Sequence, residues 1–134
     1  MSLDQAIKNA QSNVPECVSV GYVDMSTGML LSVSTVDSHP SEVLDLVAAA
    51  TADLFQGQSV TTIEKMFRKA RGQPEDGSHY FQEILVFSDN LLHVFLRSKK
   101  YPSQAAVFVC RASVNIGMAL TKSRSSMSGI EEAV

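Results

Sequence analysis

The side chains able to do chemistry in this 134-residue chain are few and scattered. Its three histidines are His39, His79 and His93, and no pair has the spacing at which one helix offers two imidazoles to a metal. No metal site is expected. The two cysteines, Cys17 and Cys110, sit inside apolar, strand-like runs, where buried and inert thiols are the expectation. A disulfide or a nucleophilic thiol would need a partner in space that sequence does not supply. His93 beside Cys110 on a neighbouring strand would make a thiol dyad; a sheet histidine satisfied by water or backbone is the commoner arrangement. Glu42, Asp45 and Asp53 mark the polar edge of one segment, and no two carboxylates are poised for acid–base work. The glycines form neither Gly-x-x-x-x-Gly-Lys nor Gly-x-Gly-x-x-Gly, so no loop cradles a phosphate and no GTPase or kinase activity is expected. No catalytic residue and no cofactor is assigned.

The remaining signal is apolar, and it centres on residues 40–55. Pro40 supplies a preset φ near a helix start, Glu42 sits at the positive end of the helix dipole, and Gly57 follows as a stop. Val43, Val47, Ala50 and Leu54 form one row at helical spacing, Leu44, Ala48 and Phe55 form the next, and Leu46 and Ala49 widen the belt. A helix on the outside of a monomer needs only one apolar stripe. The belt fits either a helix buried in a compact core or one that packs on its own sheet and on a second copy of itself. In the second case Val43, Leu46, Val47, Ala50 and Leu54 are the dimer or partner interface.

The other elements follow from periodicity. Residues 3–14 read as an amphipathic helix ended by Pro15. Residues 17–25 and 29–36 alternate as the strands of a hairpin, turned by Asp24 and Gly28. In the first of them Val18, Val20 and Tyr22 face one way and Cys17, Ser19, Gly21 and Val23 the other. Residues 37–40 turn the chain into the central helix. Thr61 and Glu64 have the spacing of a capping box, so 62–71 is either a second helix or the first one continued through a kink at Gly57. Residues 72–78 are a loop. Strands are expected over 80–87, 91–97 and 105–111, and a closing helix from Ser113 or Asn115. The basic run 97–100 reads as a solvated hairpin end. The Ser-rich tail 123–134, including Ser123-Arg124-Ser125-Ser126, is expected to fray, leaving 1–122 as the single domain.

The later strands are apolar on both faces, unlike a sheet with one face in water. Helices should therefore cover both faces, the terminal pair on one and the central helix on the other. One helix roughly 10 Å across is narrow cover for five strands about 4.8 Å apart. A second central helix from a twofold partner would supply the rest.

The chain is long enough for one domain with a core of its own. Its net charge of −3 gives no basic stripe for nucleic acid. No apolar run is long enough to span a bilayer, and residues 1–4 lack the features of a signal peptide, so a cytoplasmic location is expected.

The order helix, strand, strand, helix, three strands, helix resembles the roadblock / dynein light chain family, and more closely its bacterial members. The most specific likeness is the exit from the last strand, residues 107–120, where Asn115-Ile116-Gly117 is similar to the family's step into the closing helix. The hairpin with Asp24 and Gly28 at its turn is also similar. Residues 59–78 depart from the pattern, being longer than the usual link. The resemblance implies an α+β sandwich with a five-stranded antiparallel sheet, roadblock-like or profilin-like. It also implies a homodimer joined through its central helices and sheet edges. Family members are non-catalytic adaptors that bind small Ras-like GTPases or sit in motor, signalling and polarity complexes. The alternative is a monomeric profilin- or PAS-like ligand-sensing domain, in which the apolar surplus lines a pocket. A thiol enzyme on Cys17 or Cys110 ranks third.

Overall fold

Alternating and helical patterns resolve, in the computed structural model, into a layered α+β sandwich. The structure describes residues 1–36, 41–74 and 79–134, and within 41–45 only the side chain of Leu44. The chain runs α1 (Leu3–Asn13), β1 (Cys17–Asp24), β2 (Met29–Thr35), α2 (Ser41–Gln56), α3 (Gln58–Ala70), β3 (Glu83–Phe87), β4 (Leu91–Arg97), β5 (Gln104–Arg111) and α4 (Ile116–Ala133). The five strands form one antiparallel sheet, as the resemblance implies, and their order in it is β2-β1-β5-β4-β3. The turn at 37–40, with His39 and Pro40, and residues 75–78 of the expected loop lie outside the described residues.

Helices cover both faces. On one, Ile7, Ala10 and Val14 of the α1 segment and Ala119 and Ile130 of α4 pack on Val20, Tyr22, Leu92, Val94 and Phe108. On the other, Ala48 and Phe55 of α2 pack on Val23, Phe95, Ala105 and Val107. Each large side chain so buried contributes about 1.5–3 kcal/mol. Local chemistry fixes the ends. Ser2 caps α1 by accepting from Gln5 N at 3.2 Å, and Asn115 caps α4 by accepting from Met118 N at 3.0 Å. In the first turn Asp24 accepts from Ser26 N and Oγ, which holds its carboxyl below the usual range, and Gly28 takes φ 72°.

Gly57 separates α2 from α3, so the second helix is a piece of its own. A Cβ at Gly57 would lie 2.6 Å from the Asp53 carbonyl oxygen, so only glycine permits this tight break.

Five expectations are corrected. A bulge between Cys17 and Ser19 interrupts the alternation of β1, so Cys17 joins the face of Val20 and Tyr22 and Val18 lines the opposite one. The capping box does not form, because α3 starts at Gln58 with Gly57 at its cap and Glu64 lies well inside it. The third strand begins at Glu83 rather than residue 80. The Tyr80 N–H is taken by Glu64 Oε2 at 2.6 Å, and the carbonyls of Phe81 and Gln82 are held by Arg97.

The run 97–100 is only half solvated: Lys99 and Lys100 are exposed, but Arg97 and Ser98 are buried. Arg97 lies over the Phe55 ring and donates to the carbonyls of Phe81, Pro102 and Phe55 at 2.9, 2.7 and 3.0 Å. The expected tail is the second half of α4. Ala119, Ser123, Met127 and Ile130 recur at helical spacing and turn inward, and Glu131 accepts from Ser98 Oγ and from Lys100 N.

Candidate interaction surface

The inward row of α2 is Ala48, Thr51 and Phe55, with Thr51 Oγ1 bonded back to the Val47 carbonyl at 2.8 Å. The outward row is therefore fixed by geometry. Leu46 is 70% exposed, and Val47, Ala49, Ala50 and Leu54 are also exposed. Of the residues named from sequence for an interface, Leu46, Val47, Ala50 and Leu54 thus share the solvent side of one helix. The side chain of Val43 lies outside those described. Asp53 is the acidic residue among them.

The neighbouring helix is turned inside out. The spacing of Ile63, Met66 and Phe67 is that of a core-facing stripe. Yet Met66 is 64% exposed and Ile63 and Phe67 are exposed with it, while Glu64 and Arg68 are 2% and 4% exposed. The buried polar side supplies the reason. Glu64 Oε1 lies 3.2 Å from His79 Nδ1, Glu64 Oε2 accepts from Tyr80 N, and the Arg68 guanidinium lies 5.0 Å from the Tyr80 ring centre. These contacts pin the segment after residue 78 under α3, and the apolar stripe is left in solvent. Sequence reasoning missed this stripe as surface, because periodicity reports a face and not its direction. The clue available in sequence was the pair Glu64 and Arg68, one turn apart on the opposite side.

Strand β3 ends the sheet with one edge unpaired among the described residues, and its exposed side chains divide between the faces, Val86 toward the side of α2 and Leu85 and Phe87 toward that of α1 and α4. Such an edge is a template for another strand. Between α2, α3 and β3 lies a shallow hollow of about 840 Å³, walled by Ala50, Leu54, Val60, Phe81, Ile84 and Leu85. Helix α2 rests against β2 and β1, so one helix leaves part of the sheet face open. A second opening of about 920 Å³ lies beneath Leu44 and Val47, walled by Val23, Val33, Phe95 and Val109 among others.

His93 lines that opening, stacked on Phe95 at 6.4 Å, and burial pulls its pKa below the ordinary value. It is in register with Val109, and Cys110 points to the opposite face, so the two make no dyad. Among the described residues no three of His, Cys, Asp and Glu gather to hold a metal.

The sequence matches no family model and no curated protein. Solved structures do match it. A Roadblock/LC7 domain from Streptomyces avermitilis superposes with TM-score 0.68 over 98% of this chain and 97% of that one, at 15% identity. This chain has the roadblock fold. An MglB with a tetrameric arrangement superposes with TM-score 0.70 at 14% identity, over 98% of this chain and 90% of that one. The roadblock fold is in turn close to that of profilin. Profilin II from Acanthamoeba castellanii superposes with TM-score 0.61 at 10% identity, over 99% of this chain and all of that one. A fold shared this widely does not choose a function, which has to be argued from the surface. Among the described residues no helix is long and apolar enough to cross a membrane.

Proposed function

We propose that this roadblock-fold chain is a non-catalytic regulatory adaptor, working in the cytoplasm as a homodimer that holds a protein partner of the small Ras-like GTPase class or another signalling component. The observation that carries the reading is the outward apolar row of α2, with Leu46, Val47, Ala50 and Leu54 exposed beside a hollow that reaches Val60 of α3 and Ile84 of β3, and with Ile63, Met66 and Phe67 exposed on the neighbouring α3. Exposed apolar surface of this kind marks an interaction site. Twofold packing about α2 would cover its outward row and the open part of the sheet together. The GTPase class rests on the resemblance to roadblock proteins, and the tetrameric arrangement of one MglB supports self-association.

Light scattering at micromolar concentration tests the dimer. A stable monomer defeats the reading. Ala50→Glu places a charge in the middle of the proposed contact and should raise the dimer dissociation constant at least roughly tenfold, since an unpaired buried charge costs several kcal/mol. An unchanged constant would show that the contact face is wrongly chosen.

The opening of about 920 Å³ beneath α2 favours a second reading, a monomeric ligand-sensing domain. An apolar small molecule that co-purifies with a monomer would decide for it.

A further inference from the structure

Cys17 and Cys110 face each other across β1 and β5 as register partners. One residue outside the pair, Arg111 N donates to the Glu16 carbonyl at 3.1 Å. That bond marks an opposed pair whose own backbones do not bond each other and whose side chains approach most closely. Cα atoms of such a pair are roughly 4.5 Å apart, within the span of about 4.4–6.8 Å that a disulfide bridges.

Two irregularities of the backbone produce this juxtaposition. Glu16 takes φ 52°, unusual for a residue with a side chain, and the bulge between Cys17 and Ser19 follows at once. Regular alternation would have sent Cys17 to the face of Gly21 and Val23. The irregular start sends it to the α1 and α4 face, where Cys110 is buried. Neither cysteine is bridged, and they differ in access: Cys110 is fully buried and Cys17 only partly. The Cys17 thiol is held below its ordinary pKa, chiefly because Cys110 can donate to its thiolate, and the same contact pushes Cys110 up.

We propose that Cys17 and Cys110 form a cross-strand dithiol that a peroxide closes to an intramolecular disulfide. The Cys17 thiolate attacks one peroxide oxygen and the O–O bond breaks. Cys17 becomes a sulfenic acid, and the hydroxide released takes a proton and leaves as water. Cys110 then attacks the Cys17 sulfur, the S–S bond forms and the S–O bond breaks. The Cys110 proton leaves with that oxygen as a second water. The two thiols lose two electrons and the peroxide is reduced by two. The bond ties α1 and the first hairpin to β5 and α4. It lies on the sheet face opposite α2, so the proposed interaction surface is untouched and the two proposals stand or fall separately.

The test is hydrogen peroxide on the purified full chain, with thiols counted and unreduced peptides mapped by mass spectrometry. The expected result is loss of both thiols, a mass lower by about 2 Da, one peptide pair joining Cys17 to Cys110, and an unchanged oligomeric state. Closing so long a loop should raise Tm by on the order of 10 °C, reversed by dithiothreitol. Cys17→Ser should leave Cys110 reduced at the same dose. If that variant fails to fold, the untouched chain with and without dithiothreitol still decides. Two retained thiols, Cys17 driven to sulfinic acid with Cys110 still reduced, or bridges between chains would each overturn the proposal.

Discussion

Arg97 shows how one side chain can close three gaps. Its guanidinium satisfies carbonyls from α2, from the approach to β3 and from the loop before β5, and burial pulls its pKa down without removing its charge at neutral pH. His93 is a weaker case with a readable consequence. Burial holds its imidazole below the ordinary value of 6.5, so the unfolded chain binds a proton more readily than the native one. The stability this group contributes is present above 6.5 and is lost as pH falls below it. Thermal melts should therefore show Tm falling between about pH 7.5 and 5.5, and His93→Gln should shrink that fall by roughly 1–3 °C. An equal fall in the variant would assign the effect elsewhere. Ser123 is fully buried, and its hydroxyl has no hydrogen-bond partner among the described residues. Ser123→Ala should leave Tm unchanged or raise it by a few degrees, because a buried donor without a partner costs about 1–3 kcal/mol. A clear drop in Tm would reveal a partner for that hydroxyl.

At the scale of elements, α3 and α4 are the instructive pair. Helix α4 looks polar in its second half, yet Ile130 is buried against the core and Arg124 grips the Glu83 carboxylate through two nitrogens at 2.7 and 2.5 Å. That pair is exposed and contributes little by itself; the buried Ile130 and the Glu131 bonds carry more. Removing residues 123–134 should lower Tm by on the order of 10 °C or more, or abolish folding, as read by circular dichroism. A truncated chain that melts like the whole one would restore the frayed-tail expectation. Helix α3 carries its apolar stripe outward, so Phe67→Ser should cost the isolated chain little stability. If α3 belongs to the same contact as α2, it should also weaken self-association or partner capture several-fold by sedimentation. An unchanged association would confine the contact to α2 and β3.

At the scale of the molecule, the sheet decides what is left for a partner. Helices α1 and α4 close one face, while α2, resting on β2 and β1, leaves the other partly open. The exposed row of α2 and Val86 of edge strand β3 lie on that side, while Leu85 and Phe87 point to the face of α1 and α4. Ala50→Glu, measured by light scattering, is the mutation that addresses the molecule as a whole. It should leave the melting of an isolated chain nearly unchanged, since Ala50 is exposed there, and should act on assembly alone.

Element order, the antiparallel sheet and the double coverage of its faces were legible in the sequence. Period 2 and period 3.6 are properties of neighbouring residues and need no distant contact. The direction of a stripe is another matter. Ile63, Met66 and Phe67 turn outward only because Glu64 finds the Tyr80 backbone and His79. Arg97 is buried only because three carbonyls converge on it. Ser123 to Glu131 stay helical only because Ser98 and the sheet core are waiting there. Cys17 meets Cys110 only through a bulge that no alternation announces. Each depends on which groups come together across many residues of chain, where burying a polar atom is favourable only if a partner is already in place. That condition is set by the folded whole.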